Sequence, residues 1–205
     1  MNEREAKRHL RPARLRWLSI TLIVLLVTLA SCGAPHTFNG TELTPREPAP
    51  DIALTDQHDR PFSLSAQRGR VVLLYFGYTH CPDVCPATLG TFKAVRQQLG
   101  DAAGDVRLVF VSVDPERDTP AVLRDYLDRI DPAIVGLTGS HAAIGQIIRA
   151  YGVYAAADAA GAASGHSVAH TERIFVIDRA GDWRLLYPFD VNPAILVDDL
   201  RALLA

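Results

Sequence analysis

Apolar positions along the chain fall into runs that alternate between strand-like and helix-like spacing. Residues 70–77, Arg-Val-Val-Leu-Leu-Tyr-Phe-Gly, are a continuous apolar run rich in β-branched and aromatic residues, which predicts a central strand buried on both faces. Val106–Val113 has the same character and predicts a second buried strand. Between them Leu89, Phe92, Val95 and Leu99 recur at helical spacing, so a helix is expected to about Leu99, with Pro86 in its first turn and Gly100 past its end. Tyr78 to Cys85 is the loop that feeds this helix. Thr119-Pro120 reads as cap and first position of a second helix, running to about Asp128. Ile134–Leu137 fits a short strand and Ser140–Tyr151 a third helix. Ala155–Gly165 is rich in Ala and Gly and reads as a flexible insertion. Ile174–Asp178 and Trp183–Tyr187 flank Arg179-Ala-Gly-Asp182, a hairpin signal, and Pro193–Leu204 is a closing helix.

Strand, helix, strand, helix, then an antiparallel hairpin and a last helix is the order of a thioredoxin-like α/β fold. Ile52–Leu54 and Pro61–Leu64 stand in front of it as an added N-terminal β-hairpin.

The first thirty residues have a different pattern. Six Lys or Arg residues precede the apolar run Leu18–Ala30. At about 1.5 Å per residue that run reaches roughly 20 Å, short of a hydrocarbon core of ~30 Å. A basic head and a short apolar run predict a secretory signal. It ends in Leu29-Ala-Ser-Cys32, which resembles a bacterial lipobox, so Cys32 is the expected lipid attachment point. Four prolines between residues 33 and 50 predict a tether. The expected organisation is residues 1–31 signal peptide, 32–47 flexible tether and 48–205 a single domain, held at the cell membrane on the extracytoplasmic (periplasmic) side. The formal charge of the whole chain is −2, but residues 1–31 carry six basic and two acidic residues. Without them 15 basic residues face 21 acidic ones, a balance of −6. A mildly acidic domain with no basic stripe argues against nucleic acid as partner.

Three cysteines are present, and setting aside Cys32 leaves Cys81 and Cys85. They follow the first core strand where the chain enters a helix, a place where free N–H groups and the helix dipole stabilise thiolate. Three residues separate them, one more than in a standard thioredoxin pair. With both sulfurs on one side, the pair can bind one soft ion such as Cu(I), or bond to itself. A plain stabilising disulfide would close a very small loop and gain little. Metal use requires a third ligand. His166 and His170 precede the strand Ile174–Asp178, in the loop that in thioredoxin folds packs against the cysteine loop. Redox members carry a cis-proline there, and no proline lies between Tyr151 and Tyr187. Position alone leaves His170 open as either a ligand or a surface histidine.

Residues 75–89, Tyr-Phe-Gly-Tyr-Thr-His-Cys-Pro-Asp-Val-Cys-Pro-Ala-Thr-Leu, resemble the copper-site loop of the Sco (SenC) family of cytochrome oxidase assembly proteins. So does Val113-Asp-Pro-Glu-Arg-Asp-Thr-Pro120, and His170-Thr-Glu-Arg-Ile-Phe175-Val-Ile-Asp178 matches the family's histidine segment. The resemblance spans roughly residues 48–205. It implies Cys81, Cys85 and His170 as copper ligands, with His166 as a competing histidine. It also implies a role in delivering copper to the binuclear copper site of oxidase subunit II, or in reducing that site's cysteines. A metallochaperone is therefore expected before a thiol–disulfide oxidoreductase, in which Cys81 and Cys85 would be a redox-active catalytic pair. A peroxiredoxin would have Thr where Tyr78 stands, three residues before Cys81. Asp83 reads as a turn residue and Asp114 as a loop cap. Phe76 and Tyr78 read as packing near the sulfurs.

Overall fold

The computed structural model describes residues 36–157 and 168–205, and Phe38–Ala205 form the compact unit discussed below. Eight of its strands make one sheet, in the order β1 (Thr41–Pro48), β10 (Asp182–Pro188), β9 (Arg173–Ile177), β4 (Val71–Gly77), β5 (Val106–Ser112), β6 (Val135–Thr138), β2 (Ala53–Asp56) and β3 (Pro61–Ser63). The centre is β4 (Val71–Gly77), buried at every position. It pairs in parallel with β5 (Val106–Ser112), which pairs in parallel with β6 (Val135–Thr138). On its other side β4 runs antiparallel to β9 (Arg173–Ile177), which forms a hairpin with β10 (Asp182–Pro188). This is the thioredoxin-like arrangement expected from the element order.

Because side chains alternate across a strand, β4 feeds two cores. Val71, Leu73 and Tyr75 face one side, together with α1 (Val84–Leu99), α2 (Pro120–Asp128) and α4 (Pro193–Leu204). Val72, Leu74 and Phe76 face the other, with α3 (His141–Ala150) and residues Ile52, Leu54 and Leu64. The α1 residues Leu89, Phe92, Val95 and Leu99 are the stripe read from the sequence, and all are buried. Each of the large apolar side chains contributes about 1.5–3 kcal/mol by leaving water. Thr119 caps α2 by accepting from Val122 N–H at 3.3 Å, with Pro120 at the first position. Gly100 ends α1 at φ 59°, a conformation in which glycine avoids the Cβ penalty.

The added hairpin is β2 (Ala53–Asp56) with β3 (Pro61–Ser63), and β2 extends the sheet beyond β6 through Thr55 and Asp56. One expectation is corrected. Residues 41–47, read as part of a tether, lie within strand β1 (Thr41–Pro48), antiparallel to β10 at the opposite edge. Its side chains are mostly exposed, so it carries no hydrophobic alternation, and its prolines suit an edge strand where a ladder donor is dispensable. Main-chain pairing, which composition does not report, makes it a strand. Ala155–Ala157, read as the start of a flexible insertion, form β7, antiparallel to β8 (Val168–His170). The signal segment, Cys32, His166 and the rest of the Ala/Gly-rich stretch lie outside the described residues. No helix among the described residues is long and apolar enough to cross a membrane.

Candidate metal and redox site

Strand β4 ends at Gly77, and the loop Tyr78–Asp83 turns into α1. Cys81 N–H bonds back to Tyr78 O at 3.2 Å, closing the turn. Asp83 occupies the N-cap position of α1, but its side chain makes no capping bond. A sulfur does that work: Cys85 N–H donates to Cys81 Sγ at 3.4 Å. An N–H of the first helical turn thus points at the first cysteine, the geometry that favours a thiolate. Both cysteines are unbridged and buried, Cys81 at 7% exposure and Cys85 at 0%. The Cys85 thiol is held far above its usual range, first by its hydrogen bond with Cys81 and then by burial.

Room for the inner sulfur comes from Gly77. A Cβ there would stand 2.7 Å from Cys85 Sγ and 2.7 Å from Phe110. A glycine that clears space for a buried sulfur, beside a second sulfur, fits a soft metal cargo or a redox pair equally well.

Two side chains at the site were not singled out from sequence. Tyr75, fully buried, places Oη 3.8 Å from Cys85 Sγ. Phe76, the aromatic expected near the sulfurs, points through the sheet instead and packs on Tyr151 and Phe175 at 5.3 and 5.6 Å. The period-two alternation of β4 decides this, and it was readable once β4 was known to have α1 on the Tyr75 side. The second is Asp118, at 0% exposure. Its carboxylate accepts from Thr79 N–H at 3.0 Å, Thr79 Oγ1 at 2.6 Å and Ser112 Oγ at 2.6 Å. It thereby ties the cysteine loop to the end of β5. Thr79 Oγ1 gives its only hydrogen to Asp118, so in its 3.0 Å contact with His80 Nδ1 the imidazole is the donor. Asp114, expected to cap this loop, does so with its main-chain carbonyl, which accepts from Arg117 and Asp118 N–H. Its carboxylate pairs with Arg117, whose guanidinium lies 5.8 Å from the Tyr78 ring centre.

For His170 the description is of the backbone. It ends β8, in register with Ala155. Four residues later Ile174 pairs with Tyr75 of β4. The chain before β9 thus reaches the end of the sheet from which the cysteine loop departs. A cavity of about 550 Å3 adjoins Ala155 and is lined also by Val113, Pro115, Glu116 and His141.

The SCO1/SenC family model matches residues 42–205. The mitochondrial SCO2 homolog of Bos taurus is 36% identical over 153 residues, covering 74% of this chain and 58% of the bovine protein, less than two thirds of its length. Bradyrhizobium japonicum ScoI, solved with copper bound, is 36% identical with a TM-score of 0.68, over 76% of this chain and 98% of that one. Apo Sco1 of Thermus thermophilus is 40% identical with a TM-score of 0.74, over 83% and 99%.

Proposed function

The chain belongs to the SCO1/SenC family, and from that we propose that it is an extracytoplasmic copper-binding metallochaperone. Its service is assembly of the binuclear copper site of cytochrome c oxidase subunit II. The observation that carries this reading is the pair of buried, unbridged sulfurs at one helix start, with Cys85 N–H on Cys81 Sγ. The copper-bound Bradyrhizobium relative supports it. Copper is the cargo, held by Cys81, Cys85 and His170. Two thiolates and an imidazole suit Cu(I). His170 is preferred over His166 for its place at the end of β8, four residues ahead of Ile174. Residues 1–31 are removed as a signal peptide, and Cys32 carries the lipid that keeps the protein at the membrane.

The second reading is a thiol–disulfide oxidoreductase that reduces the cysteines of the same oxidase site. The unequal burial of the two sulfurs favours it. Cys81 would attack the target disulfide, releasing one target thiolate and forming a mixed disulfide. Cys85 would then displace the second target sulfur, leaving a Cys81–Cys85 disulfide and a reduced target.

Copper stoichiometry of the purified domain separates the two. Cys81→Ala, Cys85→Ala and His170→Ala are expected to lose tight copper binding, while His166→Ala keeps it. His170→Ala is expected to retain reduction of a disulfide substrate. Tight copper binding in His170→Ala together with its loss in His166→Ala would assign the third ligand to His166. Stoichiometric copper on the Cys81→Ala, Cys85→Ala double variant would remove the metallochaperone reading.

A further inference from the structure

We propose that Tyr75 is a positioning residue for the cysteine pair, its hydroxyl donating a hydrogen bond to Cys85 Sγ that orients the inner sulfur and favours the dithiol over the disulfide. The inference rests on the reading of Cys85 as a redox or metal-binding sulfur.

Both groups are at 0% exposure, and Oη lies 3.8 Å from Sγ, within hydrogen-bond reach for sulfur. Tyr75 stands on the central strand, paired on both sides by β5 and β9. Its ring stacks on Phe110 with centroids 6.3 Å apart. Water is excluded from Cys85, so charge on this sulfur, free or shared with a metal, has to be met by protein donors. Two point at it: the backbone N–H of Tyr78 and the Tyr75 hydroxyl.

Counting hydrogens assigns the direction. As a metal ligand or nucleophile Cys85 is a thiolate, with no hydrogen to give. Thr88, which also bonds the Tyr75 hydroxyl, gives its own hydrogen to Val84 O at 2.8 Å. The phenol therefore faces two acceptors, Thr88 Oγ1 and Cys85 Sγ, with one hydrogen to share. A phenol keeps that hydrogen at neutral pH.

The test compares Tyr75→Phe, Thr88→Val and Tyr151→Phe with wild type. Tyr151 lies on the other face of the sheet and bonds Pro50 O, so it reports generic loss of a buried hydroxyl. The first readout is the dithiol–disulfide equilibrium of Cys81–Cys85 in a glutathione buffer. Tyr75→Phe is expected to shift it about tenfold toward the disulfide, which is about 30 mV for a two-electron couple. The second is the thiolate-to-copper absorption of the Cu(II)-loaded protein, expected to move to longer wavelength once the sulfur loses its donor. Thr88→Val is expected to move both in the opposite direction, because the phenol's hydrogen is then left to sulfur alone. A folded Tyr75→Phe whose equilibrium moves no further than that of Tyr151→Phe overturns the proposal. Should Tyr75→Phe fail to fold, an unchanged Thr88→Val overturns it. A shifted equilibrium without any copper absorption, in wild type or variants, supports the role of Tyr75 and counts against copper binding instead.

Discussion

At the scale of single residues, the site is held by groups that never touch the outside. Asp118 is the clearest example. A carboxylate at 0% exposure persists only because three donors, two from Thr79 and one from Ser112, surround it. Removing it leaves those donors facing an apolar space. Asp118→Ala is therefore expected to cost about 3 kcal/mol in chemical denaturation, since each orphaned buried donor costs about 1–3 kcal/mol. The cysteine loop is expected to loosen as well, read as faster alkylation of Cys81. Asp118→Asn should lose less, because the amide keeps one oxygen for Thr79 or Ser112. A denaturation midpoint for Asp118→Ala equal to wild type would mean that the loop is held elsewhere.

At the scale of elements, the added hairpin is closed by one carboxylate. Asp56 ends β2, accepts from the backbone N–H of His58 at 2.8 Å and of Arg60 at 3.0 Å, and meets Arg60 Nε at 2.9 Å. Burial alone would raise its pKa, but the hydrogen bonds from Arg60 and His58 and the Arg60 charge outweigh it and hold the carboxyl below its usual value. A carboxyl with a depressed folded value stabilises fully above its unfolded pKa, about 3.9. That contribution is lost as pH falls through the lowered folded value. Asp56→Asn should therefore be less stable than wild type at neutral pH, with the gap narrowing below about pH 4. Thermal midpoints of both proteins across pH check this, and a gap that is constant with pH would show that the ion pair contributes nothing. The helices obey the same local logic. Thr119, Ser140 and Asn192 each accept from a backbone N–H of the helix they precede, and α1 alone among the described helices uses a sulfur for that purpose.

At the scale of the whole molecule, two layers of helix on a mixed sheet bring the end of β4 and the start of β9 to one rim. On the proposed function, one pair of sulfurs there has two exclusive states. A dithiol offers thiolates to copper, and a disulfide offers none. Oxidising the purified domain is expected to abolish copper uptake, and a reductant to restore it. Bound copper should in turn protect both thiols from alkylation. Copper uptake unchanged in protein shown by mass to hold the Cys81–Cys85 disulfide would place the metal elsewhere. Affinity should also fall as pH drops, because each thiol must release its proton before it can bind.

Sequence by itself determined the elements whose signal is local. The apolar run at 71–77 and the largely apolar run at 106–112 are strands because a strand buried on both faces wants apolar residues at successive positions, and α1 follows from the spacing of Leu89, Phe92, Val95 and Leu99. The two cysteines at a helix start, and the hairpin around residues 179–181, were likewise legible from neighbours in the chain. Tertiary structure alone decided what depends on partners distant in sequence. Thr41–Pro48 is a strand because β10 offers its edge, not because of its own composition. Tyr75 rather than Phe76 meets the sulfur because α1 packs on one particular face of β4. Asp118 is a clamp rather than a surface acid because the fold buries it against Thr79, 39 residues away. Local patterns encode conformation and amphipathic faces, whereas the choice between two faces of one strand, or the burial of one carboxylate, is made only when the layers come together.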